Sequence, residues 1–173
     1  MTKGFFAAAF MVLAIALLAP VSALAQAQWG EPINTPDRFV VLASYNNEAV
    51  YDKETGLVWE QVPGPTAVWP EALFRCNQKR HGNRKGWRLP TIQELASLID
   101  PTVFPGLTLP AGHPFQIAVG SSVYWSASTL VGDTTQAWVV NFLNSDTGGV
   151  TGRAKSDVYW LWCVRGGQGV DPQ

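Results

Sequence analysis

The chain has 173 residues, with 12 lysines and arginines against 13 aspartates and glutamates, and a formal net charge of −1 at pH 7. This charge balance argues against nucleic acid as a partner, because domains that bind nucleic acid usually carry a strongly basic surface. Eight tryptophans are many for a chain of this length. We expect some of them to form the core and a few to be exposed for binding.

Residues 1–25 are predicted to be a signal peptide. Lys3 supplies a positive start, Gly4 to Pro20 is almost wholly apolar, and Ala23-Leu24-Ala25 offers the small residues that a signal peptidase accepts. An uncleaved anchor is the alternative, since the apolar run is marginal for spanning a bilayer. Cleavage leaves a domain-sized chain with no second apolar run. We therefore expect an exported protein, periplasmic or secreted or at the cell surface, that makes no membrane contact after cleavage.

Two cysteines are present, Cys76 and Cys163. In an exported protein an even number of cysteines is most simply explained by a disulfide. A redox or nucleophilic role is the alternative, and it is less favoured because neither cysteine lies in a C-x-x-C motif. The loop closed by a bridge between them would be long, so the chain-entropy model assigns it a stabilisation of roughly 4 kcal/mol.

The first regular structure is predicted to be a β-hairpin that follows a lead-in segment, residues 26–49. Its strands are residues 50–52 and 57–59, and Gly56 supplies the positive φ of the turn between them. We expect Asp52 to accept backbone N–H bonds in this turn. A metal-binding role for Asp52 is the less favoured alternative.

Two helices are predicted next. In the first, apolar residues recur at the spacing of one helical face, which points Cys76 inward, and Gly82 ends the helix. The second helix begins at a Thr-x-x-Glu capping box formed by Thr91 and Glu94. Its apolar face consists of Ile92, Leu95, Leu98 and Ile99, and it ends before Pro101. Pro90 fixes the angle at which the chain enters this helix. This favours a structural role for the Trp-Arg-Leu-Pro corner, residues 87–90, that precedes the helix.

A long loop, Thr102 to Val123, separates the helices from the last part of the chain, and it is longer than compact domains usually tolerate without a purpose. Its apolar and aromatic side chains are either exposed contacts or pins that hold the loop to the core; they are Phe104, Leu107, His113 and Phe115. We expect Phe104 and Phe115 to pin the loop. Three strands are predicted after it, within Val123–Ser128, Ala137–Leu143 and Tyr159–Arg165. This order of elements predicts an α+β domain.

Seven motifs follow one another along the chain: Val50-Tyr51-Asp52; Thr55-Gly56-Leu57 with Trp59; Trp69 with Glu71-Ala72 and Cys76; Gly86-Trp87-Arg88-Leu89-Pro90-Thr91 with Glu94-Leu95 and Leu98-Ile99-Asp100; Tyr124-Trp125-Ser126; Trp138-Val139-Val140 with Phe142; and Cys163-Val164-Arg165-Gly166-Gly167. Together and in this order they resemble the Lcl C-terminal domain family of bacteria, which is named after a collagen-like adhesin. The resemblance covers residues 50–167 and leaves residues 168–173 as a tail. No Gly-X-Y stalk is present, so trimerisation through such a stalk is not implied.

The resemblance implies a C-type-lectin-like fold, in which two helices pack on small antiparallel sheets and the termini lie close together. It also implies that Cys76 on the first helix bridges Cys163 on the last strand. Trp87 and Leu89 would be core residues, and Arg88 would pair with a buried carboxylate or with backbone carbonyls. Structural roles are therefore expected for the motif residues Asp52, Gly56, Trp59, Trp87, Arg88, Pro90, Thr91, Glu94, Trp125, Trp138 and Arg165.

A lectin-like fold raises the question of calcium-dependent sugar binding. Calcium prefers several converging oxygen ligands, and the usual lectin signatures Glu-Pro-Asn, Gln-Pro-Asp and Trp-Asn-Asp do not occur. The nearest approximation is Asn141 with Asn144 and Asp146, and the last two are typical of a turn. We expect no metal and no cofactor, with calcium as the less favoured alternative.

The densest positive charge lies mostly between the two helices, at Lys79, Arg80, His81, Arg84, Lys85 and Arg88. The cationic side chains of Lys79, Arg80, Arg84 and Lys85 are candidates to hold sulfate or carboxylate groups of an acidic polysaccharide, since arginine binds such groups through two hydrogen bonds. The alternative is a solvated loop without a ligand. Our first hypothesis is thus a non-catalytic adhesion or recognition module for anionic glycans.

The second hypothesis is docking onto another envelope or extracellular protein through the aromatic last strand. Trp160 and Trp162 share one face of this strand, and Leu161 and Cys163 share the other. Because Cys163 should face the core, the two tryptophans would lie on the outer face or under the long loop. Exposed, they would form an apolar patch that a partner covers.

An enzyme related to formylglycine-generating enzymes is a distant third hypothesis. That chemistry needs a reactive cysteine or a metal site, and both cysteines here are expected to be paired. The histidines, His81 and His113, have no evident acid or nucleophile partner in the sequence. No His-Glu-x-x-His or Gly-x-Ser-x-Gly motif is present. We therefore predict that the chain is not an enzyme.

Overall fold

The protein is described by a computed structural model that covers residues 37–100, 102–103, 108–117, 123–143 and 149–167. These residues lie in one compact unit of the chain, Ile33–Gln173. Its elements are β1 (Phe39–Val41), a 3-10 turn (Ala43–Tyr45), β2 (Ala49–Asp52), β3 (Val58–Glu60), β4 (Gly64–Ala67), α1 (Trp69–Gln78), β5 (Trp87–Arg88), α2 (Ile92–Ala96), β6 (Val123–Leu130), β7 (Asp133–Asn141), β8 (Val150–Ala154), β9 (Tyr159–Leu161) and β10 (Val164–Arg165). Neither of these two helices is long and apolar enough to cross a membrane.

The strands form two five-stranded sheets. Sheet A has the order β1-β2-β3-β10-β5 and is antiparallel, and sheet B has the order β4-β9-β6-β7-β8. Sheet B is mixed rather than purely antiparallel as expected, because β9 pairs with β6 in parallel. The consecutive strands β9 and β10 lie in different sheets, so the short segment between them connects sheet B to sheet A. The predicted α+β class is confirmed.

The hairpin of sheet A forms where the sequence predicts it. Tyr51 of β2 pairs with Val58 of β3, and Gly56 in the turn has a φ of +71°. Asp52 closes the turn by accepting the backbone N–H of Glu54 at 3.0 Å and the hydroxyl of Thr55 at 2.8 Å. Residues of the predicted lead-in segment add β1 to the edge of this hairpin.

Both helices are shorter than predicted. Helix α1 ends at Gln78 instead of Gly82, because Lys79 takes an extended conformation with a ψ of 145°. In α2 the predicted capping box is present. The helix ends after Ala96, where the Ser97 hydroxyl donates to the Glu94 carbonyl at 2.7 Å. Serine side chains that bond to the backbone in this way compete with continued helix.

The core consists of two clusters on opposite faces of sheet A, because neighbouring residues of a strand point to opposite faces. We call the first the disulfide cluster; its buried residues are Tyr45, Ala49, Ala67, Ala72, Cys76, Trp87, Leu89, Trp125, Ala137, Val139, Leu161 and Cys163. We call the second the Trp162 cluster; its buried residues are Val50, Leu57, Trp59, Leu95, Leu98, Leu109, Phe115, Tyr124, Val140, Phe142, Trp162 and Val164. The predicted disulfide between Cys76 and Cys163 is confirmed, with a Cα–Cα distance of 5.5 Å, and it ties α1 to the segment between the sheets.

Trp162 is a core residue, so its prediction as a ligand contact is wrong. Its side chain is fully buried, and its Nε1–H donates to the Glu60 carbonyl at 2.8 Å. The alternation of faces is as predicted, with Leu161 and Cys163 in the disulfide cluster. Both faces of this segment are buried, however, because it passes between the two clusters. The aromatic rings that pack against Trp162 are those of Trp59, Phe115, Tyr124 and Phe142.

The described part of the long loop is held to the core by Phe115. This side chain is only 5% exposed, and its ring centroid lies 4.8 Å from that of Trp162, so the expectation that it pins the loop is confirmed. His113 stacks on Phe115 and accepts its backbone N–H at Nδ1. Phe104 and Leu107 lie outside the described residues.

Candidate functional site

The predicted basic loop is a defined turn, which we call the basic turn and assign to residues 79–85. The backbone N–H of Arg84 donates to the His81 carbonyl at 2.9 Å. The two residues between them, Gly82 and Asn83, have φ values of +55° and +59°, as in the tight turns of β-hairpins. A Cβ on Gly82 would lie 2.5 Å from the Cα of Tyr45. The turn therefore packs directly on the 3-10 turn and needs glycine at this position.

A buried carboxylate, Glu60, anchors the beginning of the basic turn. Its Oε1 lies 2.6 Å from Lys79 Nζ and 2.8 Å from His81 Nε2, while its Oε2 accepts the backbone N–H of Cys163 at 2.8 Å. Glu60 is fully buried at the end of β3. Lys79 is thus engaged in an internal ion pair, and the structure does not place it among the freely exposed cations of the predicted ligand set.

His81 is held between two carboxylates. Its Nδ1 lies 3.4 Å from Glu48 Oε2, and its ring meets the Trp87 ring edge-on at 5.2 Å. The hydrogen bond that His81 donates to Glu60 raises the pKa of His81 above its ordinary value of 6.5, although burial and the charge of Lys79 oppose this shift. The imidazolium form is therefore favoured, and it strengthens the attachment of the turn to β3.

The remaining cations of the basic turn point to solvent. Arg80, Arg84 and Lys85 are exposed, and within the described residues no ion pair joins any of them to a carboxylate. The Arg84 guanidinium lies 4.8 Å from the centroid of the Tyr45 ring, which gives it a preferred orientation through a cation–π contact. These three are the members of the predicted ligand set that are available to an anion.

Arg165 connects the basic turn to sheet A. Its Nε donates to the Lys85 carbonyl at 2.8 Å, and its Nη1 donates to the Tyr45 hydroxyl at 2.9 Å. The Trp87 indole also bonds to the turn, since its Nε1–H donates to the Arg84 carbonyl at 3.1 Å. Trp87 is buried, as expected, and forms the floor of the turn. Trp87, the first residue of the Trp-Arg-Leu-Pro corner, therefore packs against the candidate site and helps to fix its backbone.

Arg88 belongs to a separate ion pair and is not part of the free positive charge. Its two terminal nitrogens lie 2.7 Å from the two carboxylate oxygens of Glu94, and they also donate to the carbonyls of Leu89 and Gly166. Burial alone would raise the pKa of Glu94, but Arg88 and the backbone N–H of Thr91 hold that pKa below its ordinary value. Glu94, the half-buried residue of the capping box, is thus the carboxylate partner that was expected for Arg88.

Arg38 is a residue whose role the sequence did not reveal. It is buried, and its guanidinium binds both carboxylate oxygens of Asp52 at 2.9 and 2.8 Å. Its third nitrogen lies 3.0 Å from Glu54 Oε2. Burial would raise the pKa of Asp52, but the hydrogen bonds from Arg38 and Thr55 outweigh it and lower that pKa. Both carboxylate oxygens of Asp52 thus accept hydrogen bonds that hold the turn and Arg38 in place.

A shallow groove of about 390 Å³ lies next to these ion pairs and is lined by Thr55, Leu57, Gln93, Glu94, Ser97 and Gly167. Its acidic side chain, Glu94, is already paired with Arg88. The backbone carbonyl of Ser97 accepts a hydrogen bond from the Arg38 guanidinium. The groove presents no cation for an anionic ligand, so we place the candidate site at the basic turn.

The structure gives no support to the calcium hypothesis within its described residues. Asn141 uses its side-chain oxygen to accept the backbone N–H of Leu143 at 3.0 Å, and Asn144 and Asp146 lie outside the described residues. No group of three or more histidine, cysteine, aspartate or glutamate side chains in the described ranges is arranged to hold a metal ion.

The other predicted residues have structural positions. Trp59 and Trp125 are fully buried, Pro90 is buried, and Trp138 and Trp160 are partly buried. The Trp125 indole donates to the Ala67 carbonyl at 2.9 Å. The partly buried Trp160 packs against the Trp162 cluster and does not form an exposed pair with Trp162.

Comparison with known proteins identifies one family. A family model described as the Lcl C-terminal domain matches residues 48–165, a range that runs from just before β2 to the end of β10 and contains the whole basic turn. No curated protein matches the chain.

Proposed function

The chain belongs to the Lcl C-terminal domain family, and from this premise and the geometry of the basic turn we propose that it is a non-catalytic recognition module for acidic polysaccharide. The observation that carries the proposal is the exposure of Arg80, Arg84 and Lys85 on a fixed turn whose other cations, Lys79 and His81, are held by Glu60. Sulfate or carboxylate groups of the ligand bind these three side chains.

The arrangement of the turn favours binding because part of it is ordered before a ligand arrives. Arg84 rests on Tyr45, and the backbone that carries Lys85 is bonded to Arg165. Ordering side chains on binding is one of the costs of association, and a preformed site reduces that cost. Since the whole chain has a net charge of −1, the attraction comes from this local cluster and is expected to weaken as salt screens it.

Several features support the non-catalytic and exported parts of the proposal. Both cysteines are joined in the disulfide, so neither is available as a nucleophile, and His81 and His113 are engaged in contacts that hold loops in place. Disulfides form and persist mainly in oxidising compartments, which favours a periplasmic, secreted or cell-surface location. A C-type-lectin-like fold also remains part of the proposal; β1 and β10 lie in one sheet, and two helices accompany two small sheets.

Docking of another protein on the last strand is a weaker alternative, because Trp162 is buried and Trp160 is partly buried. Acidic polysaccharide is favoured because the exposed charged side chains of the basic turn, Arg80, Arg84 and Lys85, are all cationic.

The proposal is tested by measuring the affinity of the purified chain for sulfated and neutral polysaccharides over a salt series, with and without chelator. We expect binding to the sulfated members that weakens with salt and ignores the chelator. Exposed ion pairs contribute about 0.2–1 kcal/mol each, so the triple variant Arg80→Ala, Arg84→Ala, Lys85→Ala should bind roughly tenfold more weakly.

The matched control is Arg153→Ala, which removes an exposed cation from β8 of sheet B and should leave the affinity unchanged. Loss of binding on chelation would redirect attention to calcium near Asn141. Absence of binding at every salt concentration would overturn the proposal.

A further inference from the structure

The shallow groove beside α2 is a feature that the proposed function does not use. It lies between the β2–β3 turn, which contributes Thr55 and Leu57, and α2, which contributes Gln93 and Glu94. Its volume of about 390 Å³ falls within the range of small-molecule sites, about 300–1,000 Å³. The groove is therefore large enough to hold a small ligand.

The groove and the basic turn lie on opposite faces of sheet A. Trp87, which bonds to the basic turn, belongs to the disulfide cluster. Arg88 is the next residue of β5 and faces the other side, because neighbouring residues of a strand point to opposite faces. On that side it pairs with Glu94 of the groove, and Leu57 of the groove belongs to the Trp162 cluster. A ligand in the groove is therefore independent of the cations of the basic turn.

The hydroxyl groups of the groove can act as hydrogen-bond acceptors for a ligand. The Thr55 hydroxyl donates its proton to Asp52 at 2.8 Å, and the Ser97 hydroxyl donates its proton to the Glu94 carbonyl at 2.7 Å. A hydroxyl has a single proton to donate and two lone pairs, so each of these oxygens keeps the capacity to accept. The groove therefore favours a ligand that carries several donors.

The Glu94 carboxylate provides a further acceptor. Its Oε2 accepts from Arg88 at 2.7 Å and from the backbone N–H of Thr91 at 2.8 Å, whereas its Oε1 accepts from Arg88 at 2.7 Å. A carboxylate oxygen has about two acceptor positions, so Oε1 retains one. Because Arg88 compensates the charge of Glu94, an ammonium group gains no net attraction here, and an uncharged donor such as a hydroxyl is favoured.

Gly167 keeps this acceptor accessible from the groove. Its φ is +71°, and a Cβ at this position would lie 3.1 Å from Glu94 Oε1 and 2.9 Å from Leu57 Cδ2. Any side chain at position 167 would therefore occupy the space beside the carboxylate. Glycine leaves that space to a ligand, with Leu57 as an apolar floor.

We propose that the groove is a second binding site, which holds one ring of a neutral sugar through its hydroxyl groups. The sugar hydroxyls donate to Glu94 Oε1 and to the side-chain oxygens of Thr55 and Ser97. The exposed Gln93 amide both donates to the sugar and accepts from it. A sugar ring fits because it combines several donors with an apolar C–H face, which packs on Leu57. The inference does not rest on the proposed function, and it adds neutral carbohydrate as a second class of ligand.

The test is an NMR titration of the isotope-labelled full chain with glucose, galactose and N-acetylglucosamine at low and high salt. A shallow groove covers only one side of the ring, so we expect an affinity in the millimolar range. At least one sugar should shift the backbone amide signals of the groove residues, and its affinity should not change with salt, because a neutral ligand has no charge to screen.

Two glutamine variants test the contacts of the groove. Gln93→Ala should weaken sugar binding roughly 2- to 10-fold, the usual effect of losing one hydrogen bond. Gln78→Ala is the matched control, because Gln78 is an exposed glutamine at the end of the other helix, α1, and it should bind as the parent does.

A glycine variant closes the groove. Gly167→Ala places a methyl group beside Glu94 Oε1 and should abolish sugar binding. Gly166→Ala is its control, because φ there is also positive, at +90°, but a Cβ would meet the Gly56 carbonyl oxygen at an ordinary contact distance of 3.6 Å. This control should retain the affinity of the parent.

The outcomes separate this inference from the proposed function. If all three sugars leave the groove signals unchanged, or shift the signals of the basic turn instead, the inference is overturned. Equal binding by Gly166→Ala and Gly167→Ala would also overturn it. The triple variant of the basic turn should bind the neutral sugars as the parent does, so each of the two sites can fail while the other stands.

Discussion

At the scale of single residues, Glu60 has the widest influence on the candidate site. Its side chain joins three parts of the molecule: the start of the basic turn through Lys79 and His81, the strand β3, and the backbone of Cys163 beside the disulfide. A buried carboxylate is costly unless charges and hydrogen bonds compensate it, and here both of its oxygens have partners. The same contacts that compensate Glu60 therefore determine where the turn lies.

The attachment of His81 predicts a pH dependence of stability. Because Glu60 raises the pKa of His81 in the folded chain, its contribution to stability is fully present below the unfolded value of 6.5. This contribution is lost as the pH rises through the raised pKa. Urea unfolding at a series of pH values between 6 and 9 should show the parent losing stability relative to His81→Gln, which cannot titrate.

The comparison isolates His81 from the groups around it. Glu48, Glu60 and Lys79 surround position 81 in both proteins, and His113, whose pKa is lowered by burial, is unchanged by the substitution. An equal stability difference between parent and variant at both ends of this pH range would contradict the prediction.

At the scale of elements, the basic turn depends on close packing against the 3-10 turn. Gly82 combines a positive φ with a position where a Cβ would lie 2.5 Å from Tyr45 Cα and 3.1 Å from the Ser44 carbonyl oxygen. A backbone atom cannot move aside as a flexible side chain does. A substitution here therefore shifts the turn itself, and with it the position of Arg84.

Gly82→Ala should lower the free energy of unfolding by more than about 2 kcal/mol, since the left-handed conformation alone costs an alanine about 1–2 kcal/mol and the contact with Tyr45 adds to this cost. Affinity for sulfated polysaccharide should fall as well. The matched control is Gly132→Ala in the β6–β7 turn, where φ is also positive but a Cβ would meet nothing within 4 Å. Both free energies of unfolding are measured by chemical denaturation. If Gly82→Ala and Gly132→Ala lose the same free energy of unfolding, packing against the 3-10 turn is unimportant.

At the scale of the whole molecule, the segment from Leu161 to Val164 holds the two sheets and the two clusters together. Leu161 and Cys163 face one cluster, and Trp162 and Val164 face the other. The disulfide adds a covalent connection from this segment to α1 across 87 residues of sequence. Apolar burial on both faces and a cross-link at the same place make this segment the centre of the fold.

The double variant Cys76→Ala, Cys163→Ala should be less stable than the parent by roughly 4 kcal/mol, because the cross-link no longer restricts the unfolded chain. The measurement is urea unfolding of both proteins without reductant. The parent unfolded in the presence of reductant serves as the control and should approach the stability of the variant. An unchanged unfolding midpoint in the variant would contradict a stabilising role for the bridge.

Interactions between residues that are close in the chain could be predicted from the sequence by itself. The capping box of Thr91 and Glu94, the hairpin turn at Gly56 and the inward-facing Cys76 each depend on neighbours within about one turn of structure, where spacing and residue type decide the geometry. The ordered motifs also identified the family, and the pairing of the two cysteines followed from their number and from that resemblance.

The tertiary structure alone decided what depends on distant partners. Arg38 and Asp52 are 14 residues apart, and Glu60 and Cys163 are 103 residues apart, so no periodicity of the sequence connects them. Strand alternation placed Trp162 on the correct face, but whether that face meets solvent depends on Phe115 and on the second cluster. For the same reason the four cations of the basic turn are equivalent in the sequence. Only the position of buried Glu60 distinguishes Lys79 from Arg80, Arg84 and Lys85, which remain exposed.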